Sequence, residues 1–260
     1  MEDERGSQIR RSDSGGIVTV TFTRDKKLNA VSEHMLAVLR EAVRDFDDDP
    51  GVRALLITAE GRYFTAGADI SAMGPQSDSG VAMRHDYRRY HEVFDQMETI
   101  EKPVILAAQG PCLGVGVEMA SSCDFRLAST TAYFGLPEIR NLGVLPGSGG
   151  ISRLTRLVGP HWARWLAMAG EQVTAEEAVT MGFVHKVFAA EGFGAAARAW
   201  TEHLIENSGE ALGLAKVAID AAAGADGRTA RRVDRIANSQ LVKSREHLDM
   251  VESFRSKPKS

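Results

Sequence analysis

Between Gly16 and Phe22 the chain reads GIVTVTF, an alternation of β-branched residues that predicts a strand. From Ser32 to about Asp47 the period lengthens, and Met35, Leu36, Leu39, Val43 and Phe46 fall on one helical stripe. RALLIT, from Arg53, is then a buried-strand candidate, followed by the glycine-containing AEGRYFTAGADI. The crowding of Gly, Pro, Ser and Asp in SAMGPQSDSG, residues 71–80, predicts a loop. VAMRHDYRRYHEVFDQMETI, residues 81–100, reads as a helix ended by Lys102-Pro103. VILAAQG and DFRLAS supply two more buried strands, so strands alternate with helices and the chain is α/β.

Beyond Gly149 the pattern changes. GGISRLTRLVGP and HWARWLAMAG read as helices closed by glycine. TAEEA carries a capping-box pattern, with Thr174 as cap and Glu177 three residues on. GFVHKVF is a short strand. From about residue 191 to 254 the chain is helical and alanine-rich, with Val233, Ile236, Leu241, Leu248 and Val251 among its apolar positions. No tandem repeat of fixed period is present.

Composition narrows the class. The chain has 260 residues, 43% hydrophobic and 25% charged, enough to bury a sizeable core and unlike a disordered chain. A net charge of -4 provides no global positive field for nucleic acid or anionic membrane. Two cysteines, Cys112 and Cys123, cannot make a disulfide framework and lack metal-ligand spacing, which points to a reducing cytoplasm. No apolar run reaches membrane-spanning length, and the N-terminal MEDERGSQIRR has no apolar stretch of the secretory kind.

One short stretch demands a chemical explanation. CLGVGVEMA, residues 112–120, is small or apolar throughout except for Glu118, whose carboxylate would cost several kcal/mol to bury uncompensated. Its glycine pair is a poor dinucleotide fingerprint, because the third glycine is missing. PGSGG, residues 146–150, only loosely resembles a nucleophile elbow, with Pro146 at the first glycine position. His85 and His91 are six apart, off the spacing that lets two imidazoles share a metal on a helix. The cluster RHDYRRYH reads as a solvated helix face, with proximity to an anionic ligand as the alternative.

Two glycine turns each follow a hydrophobic strand, FTAGAD after RALLIT and CLGVGVE after VILAAQG. They are ordinary tight turns or, if two free N–H groups converge, an oxyanion hole. A second acid, Glu138 in YFGLPEIRNLGVLPG, also sits between Pro137 and an apolar residue. Two carboxyls in apolar company suggest a pair with separated pKa values able to handle one water, against the plainer reading of a capped or salt-bridged glutamate for either alone.

From about Ile17 to Val187 the order RDKKLNA, GRYFTAGADI, KPVILAAQGPCLGVGVEMASSCDFRLAS, FGLPEI, LGVLPGSGGISRLTRLVG and TAEEAVTMGFVHKV resembles the crotonase, or enoyl-CoA hydratase/isomerase, superfamily. The resemblance implies an α/β spiral of β-β-α turns with a C-terminal α-helical trimerisation region. It divides the chain into a polar tail at 1–12, a spiral core with the acyl-CoA site at 13–198 and an oligomerisation region at 199–260. It also implies a homotrimer or a dimer of trimers, and no cofactor, since coenzyme A arrives as part of the substrate.

Position by position, the resemblance assigns oxyanion N–H groups to Ala68 and Val115 and the acid pair to Glu118 and Glu138. Lys26, Leu28 and Ala66 fall beside the CoA nucleotide, Asp69 and Ile70 beside the pantetheine arm, and Phe254 and Lys257 at a C-terminal CoA contact. The implied reaction is hydration of a trans-2-enoyl-CoA. Isomerisation or dehydration on the same scaffold is the alternative, and a non-catalytic acyl-CoA binder or RNA-associated scaffold is the competitor from another class. Three positions depart from the family pattern. Val115 stands where many members have glycine, Asp25 replaces a frequent proline, and the stretch from Glu138 to Pro146 is one residue longer.

Overall fold

The computed structural model describes residues 8–72 and 80–256. Its larger sheet has the order β1-β2-β3-β4-β6-β9, built from β1 (Ile9–Ser14), β2 (Ile17–Phe22), β3 (Ala54–Ala59), β4 (Val104–Ala108), β6 (Phe125–Ser129) and β9 (Lys186–Phe188). β1 runs antiparallel to β2, and every later pairing in that sheet is parallel. A smaller sheet joins β5 (Cys112–Leu113), β7 (Tyr133–Gly135) and β8 (Gln172–Thr174) in the order β5-β7-β8.

The chain passes repeatedly from large sheet to small sheet to helix. β4 leads to β5 and then α3 (Val115–Ser121), and β6 leads to β7 and then α4 (Glu138–Leu142). After β3, the segment around Thr65–Ala68 bridges to Cys112 and Val31 before α2 (Gly80–Thr99). These are the β-β-α turns of a spiral. Stacking the turns sets their loops side by side at one edge.

The uninterrupted apolar runs of β3 and β4 follow from burial on both faces, as parallel strands covered on each side require. Leu55, Ile57, Val104 and Leu106 face the main core with α1 (Glu33–Asp48) and α2, while Ala54, Leu56, Ile105 and Ala107 face Phe193 and Ala197 of α7 (Phe193–Leu204). α1 starts where Ser32 accepts the Met35 N–H. It ends where Lys102 Nζ donates to the carbonyls of Phe46, Asp47 and Asp49 at 2.7, 3.1 and 2.7 Å. The capping box of Thr174 and Glu177 opens α6 (Ala175–Thr180). Buried Arg126 closes the C-terminal end of α3 by donating to the carbonyls of Ala120 and Cys123, a favourable place for a cation on a helix dipole.

Two sequence expectations change. The polar tail expected to residue 12 gives way at Ile9 to β1. That edge strand buries Ile9 and carries Arg10 and Arg11 in ion pairs outside, so it shows no hydrophobic alternation. The division between residues 198 and 199 falls inside α7. The two glycine-closed helices stand as read: within α5 (Gly150–Ala163) the first ends at the non-helical Gly159 (φ 74°, ψ 167°), and the second starts at Pro160 and runs through a π-turn over Arg164–Met168 to Gly170 (φ 63°). The expected loop at 71–80 lies outside the described residues except at its ends.

The C-terminal helices α8 (Gly209–Gly224), α9 (Gly227–Leu241) and α10 (Arg245–Ser256) complete the described chain. α9 and α10 bury no residue, and Ile236 is 64% exposed. Among the described residues no helix is long and apolar enough to cross a membrane. Phe46, fully enclosed on α1, reports on the main core. Phe46→Ala is expected to lower unfolding stability by about 3–5 kcal/mol in chemical denaturation, and a loss below about 1 kcal/mol would contradict this packing.

Candidate active site

The first glycine turn is stitched to the loop before α1. Ala66 N–H donates to the Leu28 carbonyl, Val31 N–H to Gly67 and Asp69 N–H to Val31, at 2.9, 2.9 and 3.0 Å. Thr65, fully buried, donates its hydroxyl to the Asn29 carbonyl and accepts the Gly67 N–H. This ladder skips Ala68, whose N–H has no acceptor among the described residues.

The second glycine turn lies against the first. Across the Thr65–Cys112 bridge Thr65 N–H donates to the Pro111 carbonyl and Leu113 N–H to the Thr65 carbonyl, at 3.1 and 3.0 Å, and Gly114 N–H donates to the Gly135 carbonyl at 2.9 Å. Gly114 has φ 56° and ψ -122°, a conformation that only glycine enters readily. A Cβ placed on it would lie 3.4 Å from Gly67 Cα. α3 then begins at Val115, whose N–H belongs to the first helical turn and has no helical acceptor. Two unpaired amides therefore follow two glycines that touch. The valine side chain is 5% exposed and packs into the main core, so its bulk points inward.

Glu118 is 3% exposed on α3. Its Oε1 accepts the N–H groups of Ser148 and Gly150 at 2.7 and 3.2 Å. A Cβ on Gly150 would come within 2.9 Å of that oxygen, so the PGSGG glycines serve a close approach to the acid rather than a nucleophile elbow. Arg153 braces the loop, donating to the Ser148 carbonyl at 2.9 Å while pairing with Asp95 and Glu98 of α2. Burial holds the Glu118 pKa above the ordinary carboxylate value, a rise that the two backbone donors, His91 and Arg153 reduce without cancelling.

Glu138 opens α4 after Pro137 and is half-buried. Its Oε1 stands over Gly114, within 2.7 Å of where a Cβ would be. Its Oε2 is buried without a hydrogen-bond partner among the described residues. Burial raises its pKa to about 7, opposed by its own backbone N–H and assisted by the charge of Glu118. Arg140 pins α4 by donating to the Ala169 carbonyl and pairing with Glu171. Both acids and both unpaired amides thus converge on one corner of the fold, the longer Glu138–Pro146 stretch notwithstanding.

The other residues singled out from the sequence divide. Leu28 (φ 51°) and Ala66 are hydrogen-bonded to each other, and Lys26 lies in the adjoining short turn over Asp25–Lys27. Asp69 is paired with Arg24 at 2.5 Å, and its pKa falls to about 2 through its bond from Ser71 and then from Arg24. Ile70 is 59% exposed beside it. Asp25 accepts the Arg62 N–H and packs on Gly61 (φ 82°), which gives the acid a local role in the turn. Phe254 lies on α10, 79% exposed, and Lys257 lies outside the described residues. Ser148, Gly150, Arg153 and Arg24 went unnoticed in the sequence, because backbone donors and bracing cations leave no residue signature.

Comparison with known proteins gives the family. The family model for enoyl-CoA hydratase/isomerase matches residues 12–259. A short-chain-enoyl-CoA hydratase of Clostridium acetobutylicum is 35% identical, over 94% of this chain and 93% of its own. A crotonyl-CoA hydratase of Syntrophomonas wolfei is 42% identical, over 66% of this chain and 65% of its own. The crystal structure of an enoyl-CoA hydratase from Bacillus anthracis superposes with a TM-score of 0.89 at 28% identity, covering 95% of this chain and 96% of that one. With its spiral of turns and its paired acids, the chain belongs to the enoyl-CoA hydratase/isomerase family.

Proposed function

We propose that the protein is an enoyl-CoA hydratase, adding water reversibly and syn to the double bond of a trans-2-enoyl-CoA to give a 3-hydroxyacyl-CoA in acyl-CoA catabolism. The observation that carries this reading is the unlike pair of acids beside two unpaired amides. Glu118 has two N–H donors that favour its anion, whereas Glu138 has a buried, unpartnered oxygen and a pKa near 7. Glu118 is therefore the base and Glu138 the acid.

In this mechanism the thioester oxygen accepts from the Ala68 and Val115 N–H groups. Glu118 takes a proton from water as the hydroxyl adds to the β-carbon, and Glu138 gives its proton to the α-carbon. Negative charge gathering on the thioester oxygen is met by the two amides, worth about 2.7–4 kcal/mol per donor. The pair works when it holds one proton. Water, acyl-CoA and side chains supply every atom of this reaction, so we assign no separate cofactor. An isomerase needs only one acid, and the open oxygen of Glu138 favours the reading that includes water.

The segment around Lys26, Leu28 and Ala66 takes the CoA nucleotide, with Lys26 offering a point charge to phosphate. Asp69 and Ile70 flank the pantetheine arm. Because the Asp69 carboxylate is committed to Arg24, its contribution is through the backbone. The exposed apolar residues of α9 and α10, with none buried, support a homotrimer or dimer of trimers closed by the C-terminal helices, and Phe254 reaches CoA across that contact. Two buried free thiols fit a reducing, cytoplasmic setting.

Crotonyl-CoA hydration is the direct assay. Glu118→Gln and Glu138→Gln are each expected to lower kcat at least about a hundredfold, and near-normal turnover in both would remove the two-acid mechanism. In the wild type, kcat/KM should fall as pH rises past about 7, because the raised Glu138 pKa means the proton-bearing form is lost there. A profile flat through neutrality would reverse that assignment. Light scattering on the eluting protein should give a mass of three or six chains, and a monomer would refute the oligomer.

A further inference from the structure

One side chain outside the acid pair has a direct line to it. His91, on α2, places Nε2 2.5 Å from the Gly147 carbonyl oxygen. A carbonyl only accepts, so Nε2 carries the proton. The N–H of that same peptide unit belongs to Ser148 and donates to Glu118 Oε1 at 2.7 Å. Described peptide bonds are all trans, so the carbonyl and N–H point in opposite directions, with imidazole on one side and carboxylate on the other. Hydrogen bonds in such a chain polarise one another, by about 10–30% per bond.

The two donors to Glu118 differ in how they are backed. The Gly150 N–H shares its peptide with the Gly149 carbonyl, which accepts from the Arg153 N–H of α5 and from the Ser152 hydroxyl. The Ser148 N–H shares its peptide with the carbonyl held by His91. Tyr87, one turn earlier on α2, fixes the same spot, since a Cβ on Gly147 would lie 2.6 Å from its ring. Arg153 holds the following carbonyl, at Ser148, and is itself gripped by Asp95 and Glu98. One face of α2 thus packs along this loop, and of its side chains His91 is the one that hydrogen-bonds the carbonyl of the Gly147–Ser148 peptide.

We propose that His91 is a positioning residue for the hydration reaction, fixing and polarising the Gly147–Ser148 peptide so that its N–H holds Glu118 in place as the ionised base. The role rests on the hydratase reading above. His91 meets neither the Gly67–Gly114 contact nor the turn around Lys26, so its effect belongs to turnover rather than to CoA binding. An uncharged donor at the place of Nε2 serves the same purpose, which separates this role from simple charge and from packing.

The test compares His91→Ala with His91→Gln, whose amide nitrogen can take the place of Nε2. His91→Ala should lower kcat for crotonyl-CoA hydration about tenfold while KM moves less than about twofold, and His91→Gln should recover kcat to within about threefold of wild type. The acid limb of the kcat profile should shift to higher pH in His91→Ala and return in His91→Gln. Wild-type kcat in His91→Ala, or a Gln variant no better than Ala, overturns the proposal. Carbon-13 NMR of the Glu118 carboxyl supplies a readout independent of turnover: its titration should move to higher pH in His91→Ala, and an unmoved titration also overturns it. A wild-type protein that does not hydrate crotonyl-CoA would instead sink the hydratase reading, leaving the NMR comparison to decide the role of His91.

Discussion

The site depends on how one buried carboxylate is compensated. Glu118 lies in an apolar helix within the core and makes no salt bridge among the described residues; its Oε1 is satisfied by two backbone amides of a glycine loop. Amides compensate without neutralising, so the acid remains able to exchange a proton, as it would not if locked in an ion pair. Much of the surrounding structure follows from this choice. The loop needs glycine where it passes the acid, Arg153 to hold its carbonyl, and acidic residues on α2 to hold Arg153.

The second acid follows a different logic. Glu138 is set over Gly114 by a short helix pinned at its far end by Arg140, and one of its oxygens has no protein partner. Burial and the neighbouring charge keep it near its proton at neutrality. Burial raises the pKa of both acids, but backbone donors oppose the rise at Glu118 whereas the neighbouring charge adds to it at Glu138, so environment alone makes two residues of the same type unlike.

Much of this was legible in the sequence, for physical reasons. Continuous apolar runs marked β3 and β4 because both their faces are covered, and the stripe of α1 appeared because one face is. A lone acid among glycines and apolar residues marked Glu118. β1 was hidden because an edge strand with arginines outside has no period to read. Ser148 and Gly150 were hidden because a backbone N–H looks alike in every residue but proline, and only the fold decides where it aims. His91 was read as part of a solvated basic face, since nothing local tells a helix which carbonyl it will meet.

The bridge between Thr65 and Cys112 joins segments far apart along the chain, and Glu118 is held by a loop that comes later still. No single layer of the spiral owns the reacting corner. It comes into being only once successive layers have docked, so a partly assembled chain has no weakened version of the site, only none. The corner where the two acids meet is therefore a property of the stacked layers together, not of any one of them.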